Sequence, residues 1–338
     1  MTDQSIDSPE STTMRAVAQR TYGSADVLDI TMVDRPTIAA DEVLIEVEAA
    51  GLDRGVWHLM TGMPYLIRIM GYGLTKPKNP VPGMDVAGRV AEIGHDVTRF
   101  AVGDEVFGIG DGTFAEFAPA KESKLVHKPE NITFEQAAVS TISGITALQA
   151  LTTVGRLEAG QHVLVIGASG GVGSFTVQLA KALGATVTGV ASTAKLDTVR
   201  SLGADHVIDY ARENIDDGEQ RYDLIIDTGG RNKLPRIRQA LTPTGTLVIV
   251  GGEDGGRLTG GIGRQLRAAV LSPFVKQRLA FFMSKESREF IDPLAEHLAN
   301  GTITAAVGQQ FDLEEVPAAI EAMEAGTLTT KTVITVKP

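Results

Sequence analysis

The residues best suited to chemistry lie between Gln161 and Tyr210. An apolar, β-rich run, His162–Ile166, stops at Ala168-Ser169-Gly170-Gly171-Val172-Gly173. A stretch with apolar residues at Phe175, Val177, Leu179, Ala180 and Leu183 follows, and Gly184 closes it. The spacing Ala168-x-Gly170-x-x-Gly173 is the G-x-G-x-x-G dinucleotide fingerprint with Ala at its first position. Gly170 lets backbone approach a phosphate with no Cβ between them. Gly173 lets a helix pack closely on the preceding strand, and the free N–H groups and positive dipole end of that helix then face a pyrophosphate. A lone glycine pattern carries little weight. Set between a strand and a helix in a βαβ unit of the right length, it points to a bound dinucleotide rather than to a tight structural turn.

The second strand of the unit, Thr186–Ala191, runs into Ser192-Thr193-Ala194-Lys195. Sites that select NAD place Asp or Glu here, on the ribose 2′-hydroxyl. No acid occurs before Asp197. A carboxylate would repel a 2′-phosphate, whereas hydroxyls and an ammonium attract one. Ser192, Thr193 and Lys195 are therefore candidate 2′-phosphate ligands, and NADPH is the expected cofactor. A helix N-cap at Ser192 or Thr193 and a solvated Lys195 are the plainer alternatives.

Composition removes several classes of function. The chain has 338 residues, enough for about two domains. A net charge of −11 leaves no basic excess for general nucleic-acid binding. With no cysteine there is no disulfide, thiolate nucleophile or cysteine-ligated zinc. The six histidines (His58, His95, His127, His162, His206, His297) show no ligand spacing, so no dedicated metal site is expected. No apolar run approaches the ~20 residues of a membrane span. The polar start, MTDQSIDSPESTT, has no signal-peptide core, so residues 1–13 read as a disordered tail and the cytoplasm as the default location. The expected partner is a small molecule, with neither nucleic acid nor membrane.

These residues need elements to hold them. Met14–Arg20 and Asp41–Ala50 alternate as strands, the second with one buried face. Gly51–Gly62 reads as a short helical turn, and residues 81–110 as short strands between Gly-Asp and Gly-His turns, a compact β-barrel-like unit. Thr133 with Gln136 three residues on is a capping-box start to a helical bridge. Beyond the dinucleotide unit, Tyr222–Asp227 and Thr246–Val250 are strands separated by a helix near Leu234–Leu241, and Gln277–Met283 is a weaker sixth strand. Strands alternating with helices imply a doubly wound parallel sheet. Gly251 opens a Gly-rich, then basic segment containing Arg257, Arg264, Arg267 and Lys276. It reads either as a flap over the cofactor, with Gly251 among the cofactor-binding residues, or as an amphipathic surface. Lys331–Val336 is a closing strand that needs a sheet to join, and the N-terminal β unit can supply it.

The order of PGMDVAGRV, GDEVFG, SGITALQAL, IGASGGVGSFTVQLAKALGA, SLGADHVIDY and TVITV resembles the medium-chain dehydrogenase/reductase superfamily, and within it the zinc-free quinone-oxidoreductase branch. The likeness runs from about Met14 to the C-terminus. It implies an α/β fold: a GroES-like β-barrel catalytic domain (14–137 and 287–338) plus a Rossmann doubly wound parallel sheet (138–286). It also implies an active site in the cleft between them and a homodimer paired through the edge of the Rossmann sheet, assigned here to Thr246–Val250. Tyr210 matches a tyrosine that assists 2′-phosphate recognition in similar enzymes. Zinc-dependent members carry Gly-His-Glu where this chain has Gly83-Met84-Asp85. A thioether and a carboxylate do not hold catalytic zinc.

Without a metal, hydride addition to a simple carbonyl requires a strong proton donor beside one oxygen. A quinone or α,β-unsaturated carbonyl spreads the charge, so weaker donors suffice. Against the branch's V-N-x-x-D-x-Y-x-x-x-G pattern, Asp53 stands where asparagine is common and His58 where tyrosine often sits. His58 is thus the candidate proton or hydrogen-bond donor, and Asp53 the group that orients it or the substrate. Helix capping by Asp53 and a surface position for His58 are the alternatives. The expected activity is NADPH-dependent reduction of a quinone or conjugated carbonyl. A zinc-independent alcohol/aldehyde oxidoreductase and a non-catalytic NADPH-binding protein are the competing readings.

Overall fold

The computed structural model describes residues 12–218, 220–230, 232–251, 260, 262–328 and 330–337. β1 (Thr13–Gln19) pairs antiparallel with β2 (Leu28–Asp34). Thr13 pairs with Asp34 and Thr12 O accepts from Arg35 N–H, so the last two residues of the stretch read as a tail belong to the first hairpin, and residues 1–11 lie outside the described residues. β3 (Glu42–Leu52) is the spine of the first unit. It pairs with β4 (Asp85–Ile93) and β6 (Phe117–Lys121), while β5 (Glu105–Ile109) joins β4 to β7 (Leu125–His127). β3 buries Val43, Leu44, Ile45 and Val47, so both of its faces are covered and not one. Helix α1 (Arg54–Thr61) leaves the end of β3 and stops at Gly62, which is left-handed (φ 61°).

The bridge is two helices, α2 (Phe134–Ala138) and α3 (Thr141–Gln149). The capping box forms as read, with Thr133 accepting from Gln136 N–H and Gln136 bonding back to Thr133 N–H. The chain then builds β8 (His162–Ile166), α4 (Gly171–Ala182), β9 (Thr186–Ala191), α5 (Leu196–Ser201), β10 (His206–Asp209), β11 (Tyr222–Asp227), α6 (Leu234–Ala240), β12 (Leu241–Ile249), α7 (Ile262–Leu271) and β13 (Arg278–Phe281). Six parallel strands result, in the order β10-β9-β8-β11-β12-β13. The reading of Thr246–Val250 as the sheet edge is corrected by this order. β12 is interior, because Arg278–Phe281 pairs along its outer side, and β13 is the edge.

After α8 (Arg288–Ala299) the chain returns to the first unit. β14 (Val307–Asp312) lies parallel to β15 (Lys331–Thr335), with α9 (Val316–Glu324) between them, and β15 pairs antiparallel with β3. One continuous apolar cluster runs from Phe107 and Ile109 through Ile145, Leu148 and Leu151 to Phe175 and Leu179. The helical bridge is thus the shared core of both units. No helix among the described residues is long and apolar enough to cross a membrane.

Candidate active site

The glycine turn sits at the carboxyl edge of the parallel sheet, between β8 and β11, where the strand order reverses. Gly167 (φ 81°) turns the chain out of β8, and the N–H groups of Gly167 and Ala168 donate to Val190 O. A Cβ on Gly173 would fall 2.1 Å from Gly167 O, so the close approach of α4 to β8 requires glycine there. A Cβ on Gly170 would meet only Gly167 O, at 3.3 Å, so the turn's outer side is open. Ala168 and Ser169 are buried in the turn, and Val172 packs on the core. The first N–H groups of α4, on Gly171, Val172 and Gly173, have no helical acceptor four residues back. Gly251 packs against Thr228 O, and Thr228 Oγ1 donates to Ile166 O, so the ends of β8, β11 and β12 converge here.

At the end of β9, Ser192 stands at the N-cap position of a short turn, but its side chain makes no capping bond. Thr193 Oγ1 donates to Asp209 Oδ2 at 2.5 Å. Lys195 Nζ reaches Leu328 O at 3.4 Å, and the Tyr210 ring is 58% exposed. Asp209 escaped the sequence reading. It is buried beside Ala191, and the Thr193 hydroxyl, the Ala211 N–H and nearby Arg212 hold its carboxyl below the usual range. Asp227 was missed too: fully buried, it accepts from Gly229 and Gly230 N–H and pairs with Arg264 of α7. The visible signal for both was an acid closing an apolar strand at the ligand-facing edge of a parallel sheet. Arg257, read with Arg264 as one basic segment, lies outside the described residues.

In the first unit, Asp53 caps α1: its Oδ1 accepts from Val56 N–H at 3.0 Å, and its Oδ2 is buried without a hydrogen-bond partner. His58 is half-buried, edge-on to Trp57, with Nδ1 2.8 Å from Met63 O. Because a carbonyl only accepts, Nδ1 carries the proton and Nε2 is the nitrogen left for a ligand. No hydrogen bond joins Asp53 to His58; the aspartate orients the histidine only by starting its helix.

The third part of the candidate site is a buried node. Asp85, wholly buried at the start of β4, accepts from Ile142 N–H at 2.8 Å, and its Oδ2 lies 3.7 Å from Lys331 Nζ. Lys331 Nζ donates to Ser143 Oγ at 3.1 Å, and its stem lies over the first turn of α4, where a Cβ on Gly171 would fall 2.8 Å from Lys331 Cδ. Burial pushes the Asp85 carboxyl up to about 7, against the pull of Lys331 and with a further push from Asp53. One lysine therefore ties β15, β4, α3 and the first turn of α4 together. Its sequence signal was faint: a lone cation opening an apolar strand.

The zinc-binding dehydrogenase profile matches residues 202–334, and the alcohol dehydrogenase GroES-like domain profile matches 39–130. A 2-methylene-furan-3-one reductase of Solanum lycopersicum is 32% identical over 337 residues, covering 95% of this chain and 79% of that protein. The chain belongs to the medium-chain dehydrogenase/reductase superfamily, in its quinone-oxidoreductase-like branch. This dehydrogenase/reductase superposes on the quinone oxidoreductase of Coxiella burnetii with a TM-score of 0.84 at 26% identity, over 96% of this chain and 100% of that one. A mycobacterial protein solved with NADPH gives 0.81 at 25% identity, again over 96% and 100%. As a member of this family the chain is an oxidoreductase. The zinc named in the first profile does not fit its residues. Met84 offers a thioether, Asp85 is committed to Ile142 and Lys331, and no group of three His, Asp or Glu gathers among the described residues.

Proposed function

We propose that the protein is an NADPH-dependent reductase of quinones or α,β-unsaturated carbonyls that works without a metal. The observation that carries this reading is the commitment of Asp85 to the buried node, at the position where zinc-dependent relatives keep a metal-site carboxylate. With no Lewis acid there, the acceptor must hold its own developing charge, as a conjugated system does. The relatives named for a conjugated furanone and for quinones support the same class.

The glycine turn fits a dinucleotide. Gly170 leaves the phosphates room, the N–H groups of Gly171, Val172 and Gly173 receive them, and Ser192 and Lys195 after β9 and Tyr210 after β10 are the candidate 2′-phosphate ligands. Bound there, the nicotinamide supplies a hydride. His58, when doubly protonated, donates from Nε2 to the acceptor's oxygen, while Met63 O fixes the ring through Nδ1. Ser192 and Lys195 offer a hydroxyl and an ammonium to the phosphorylated cofactor.

The test is NADPH oxidation against quinones, enones and simple aldehydes. Turnover is expected to be fastest with the first two. Faster reduction of aldehydes would overturn the assignment in favour of an alcohol/aldehyde oxidoreductase, and cofactor binding with no turnover would favour a binding protein. Residues 14–137 with 287–338 are read as the catalytic unit and 138–286 as the cofactor unit. A homodimer through the outer edge of β13 is the expected assembly, checked by light scattering of the wild type.

A further inference from the structure

Residues 54–84 carry Arg54, Arg68, Lys76 and Lys78 and no Asp or Glu, in a chain with 42 acidic residues and a net charge of −11. The same stretch exposes Leu66, Ile69, Met70, Tyr72 and Leu74, with Ile69 72% and Leu74 70% exposed. Leu66, Ile69 and Met70 are all exposed on the short helical segment that follows α1, which is π-helical over Arg68–Tyr72. The turn's cation points the other way. Arg68 Nε donates to Gly62 O at 3.0 Å, and its guanidinium stacks on Tyr22 and Tyr65. A helical turn on a water-facing surface normally does the reverse, with aliphatic residues inward and cations outward.

This display is braced. Tyr22 Oη donates to Tyr72 O at 3.0 Å and to Gly73 O at 2.6 Å, and Lys78 N–H donates to Tyr72 O at 2.8 Å. Gly73 (φ 113°) closes the loop so tightly that a Cβ there would fall 2.0 Å from Lys76 O. Lys76 and Lys78 are exposed and make no ion pair among the described residues.

We propose that residues 66–78 form a surface that adsorbs to a bilayer containing anionic lipid. Leu66, Ile69, Met70 and Leu74 enter the boundary between headgroups and acyl chains, and Lys76 and Lys78 lie against the charged surface. The uniform positive sign of the segment in an acidic chain selects an anionic surface. Pairing with the same segment of a second copy would set lysine against lysine. The proposal does not depend on which acceptor is reduced. Its consequence is positional: the segment joins α1, which carries His58, to Asp85, so adsorption brings the candidate cleft to the phase where apolar acceptors concentrate.

The test is sedimentation of the full chain with vesicles of phosphatidylcholine plus phosphatidylglycerol and with phosphatidylcholine alone. The wild type is expected to sediment with the anionic vesicles and to be released by salt. Lys76→Gln with Lys78→Gln lowers the partition coefficient by about 25-fold, at about fivefold per lysine. Ile69→Ser with Leu74→Ser weakens binding too, while both double variants keep the wild-type circular dichroism and turnover of a water-soluble acceptor. Absence of sedimentation with anionic vesicles, or wild-type binding by both variants, overturns the proposal. A change of oligomeric state in the variants without vesicle binding overturns it in favour of a protein interface.

Discussion

Asp85→Asn tests the buried node most directly. The asparagine keeps the shape of the side chain and removes its titration. In the folded protein burial raises the Asp85 carboxyl from 3.8 to about 7, so between those values the native state holds a proton that the unfolded chain has lost. The sign follows: stability from this group is fully present below about pH 4, declines as the pH rises, and levels off above about pH 7. Integrating the two titration curves gives a loss of about 2 kcal/mol between pH 5 and pH 7, and only about 0.4 kcal/mol more by pH 8. Asp85→Asn lacks this decline, so its stability relative to wild type should improve by about 2 kcal/mol from pH 5 to pH 7. The assay is urea unfolding of both proteins at pH 5, 6, 7 and 8. A wild-type-minus-variant difference that stays constant across pH 5–7 would refute the reasoning, because Asp85 would then be ionised throughout that range and held by Lys331.

Gly173→Ala should destabilise the fold by about 1–3 kcal/mol, since its Cβ would meet Gly167 O at 2.1 Å, and should weaken dinucleotide binding in a fluorescence titration. Lys195→Glu should raise the Kd for NADPH by about 10- to 100-fold and leave that for NADH nearly unchanged; equal effects on both would remove Lys195 from 2′-phosphate recognition. His58→Phe should lower kcat on a saturating enone by about 100-fold if Nε2 donates to the substrate, and an unchanged kcat would exclude the histidine from the reaction. Asp227→Asn should cost about 3 kcal/mol in thermal or urea unfolding, because it leaves the mostly buried Arg264 without its counter-charge.

Much of the cofactor unit was legible in the chain because its constraints are local. A glycine where a Cβ would strike a carbonyl, a capping Thr133 with Gln136, and strands that end at a turn all act within a few residues, and each formed where the pattern placed it. The same locality identified Ser192–Lys195 as a strip without an acid. It could not show that Asp209, from the next strand, would reach Thr193, since that contact depends on β10 lying beside β9. Likewise Gln277–Met283 was legible as a weaker sixth strand, but only its pairing along Thr246–Val250 decided which of the two lies outermost.

The sequence by itself determined the dinucleotide turn, the two-unit organisation of β-rich and alternating segments, and the want of cysteine and histidine ligands for zinc. Each follows from residue type and short spacing. Only the tertiary structure decided that Lys331 and Asp85, which open two distant strands, would meet Ser143 against the turn of α4. It likewise decided that Asp53 would cap a helix without touching His58. The reason is that an ion pair buried between strands is specified by sheet order and register. Those depend on the packing of the whole core and leave no periodic trace in the residues that form the pair.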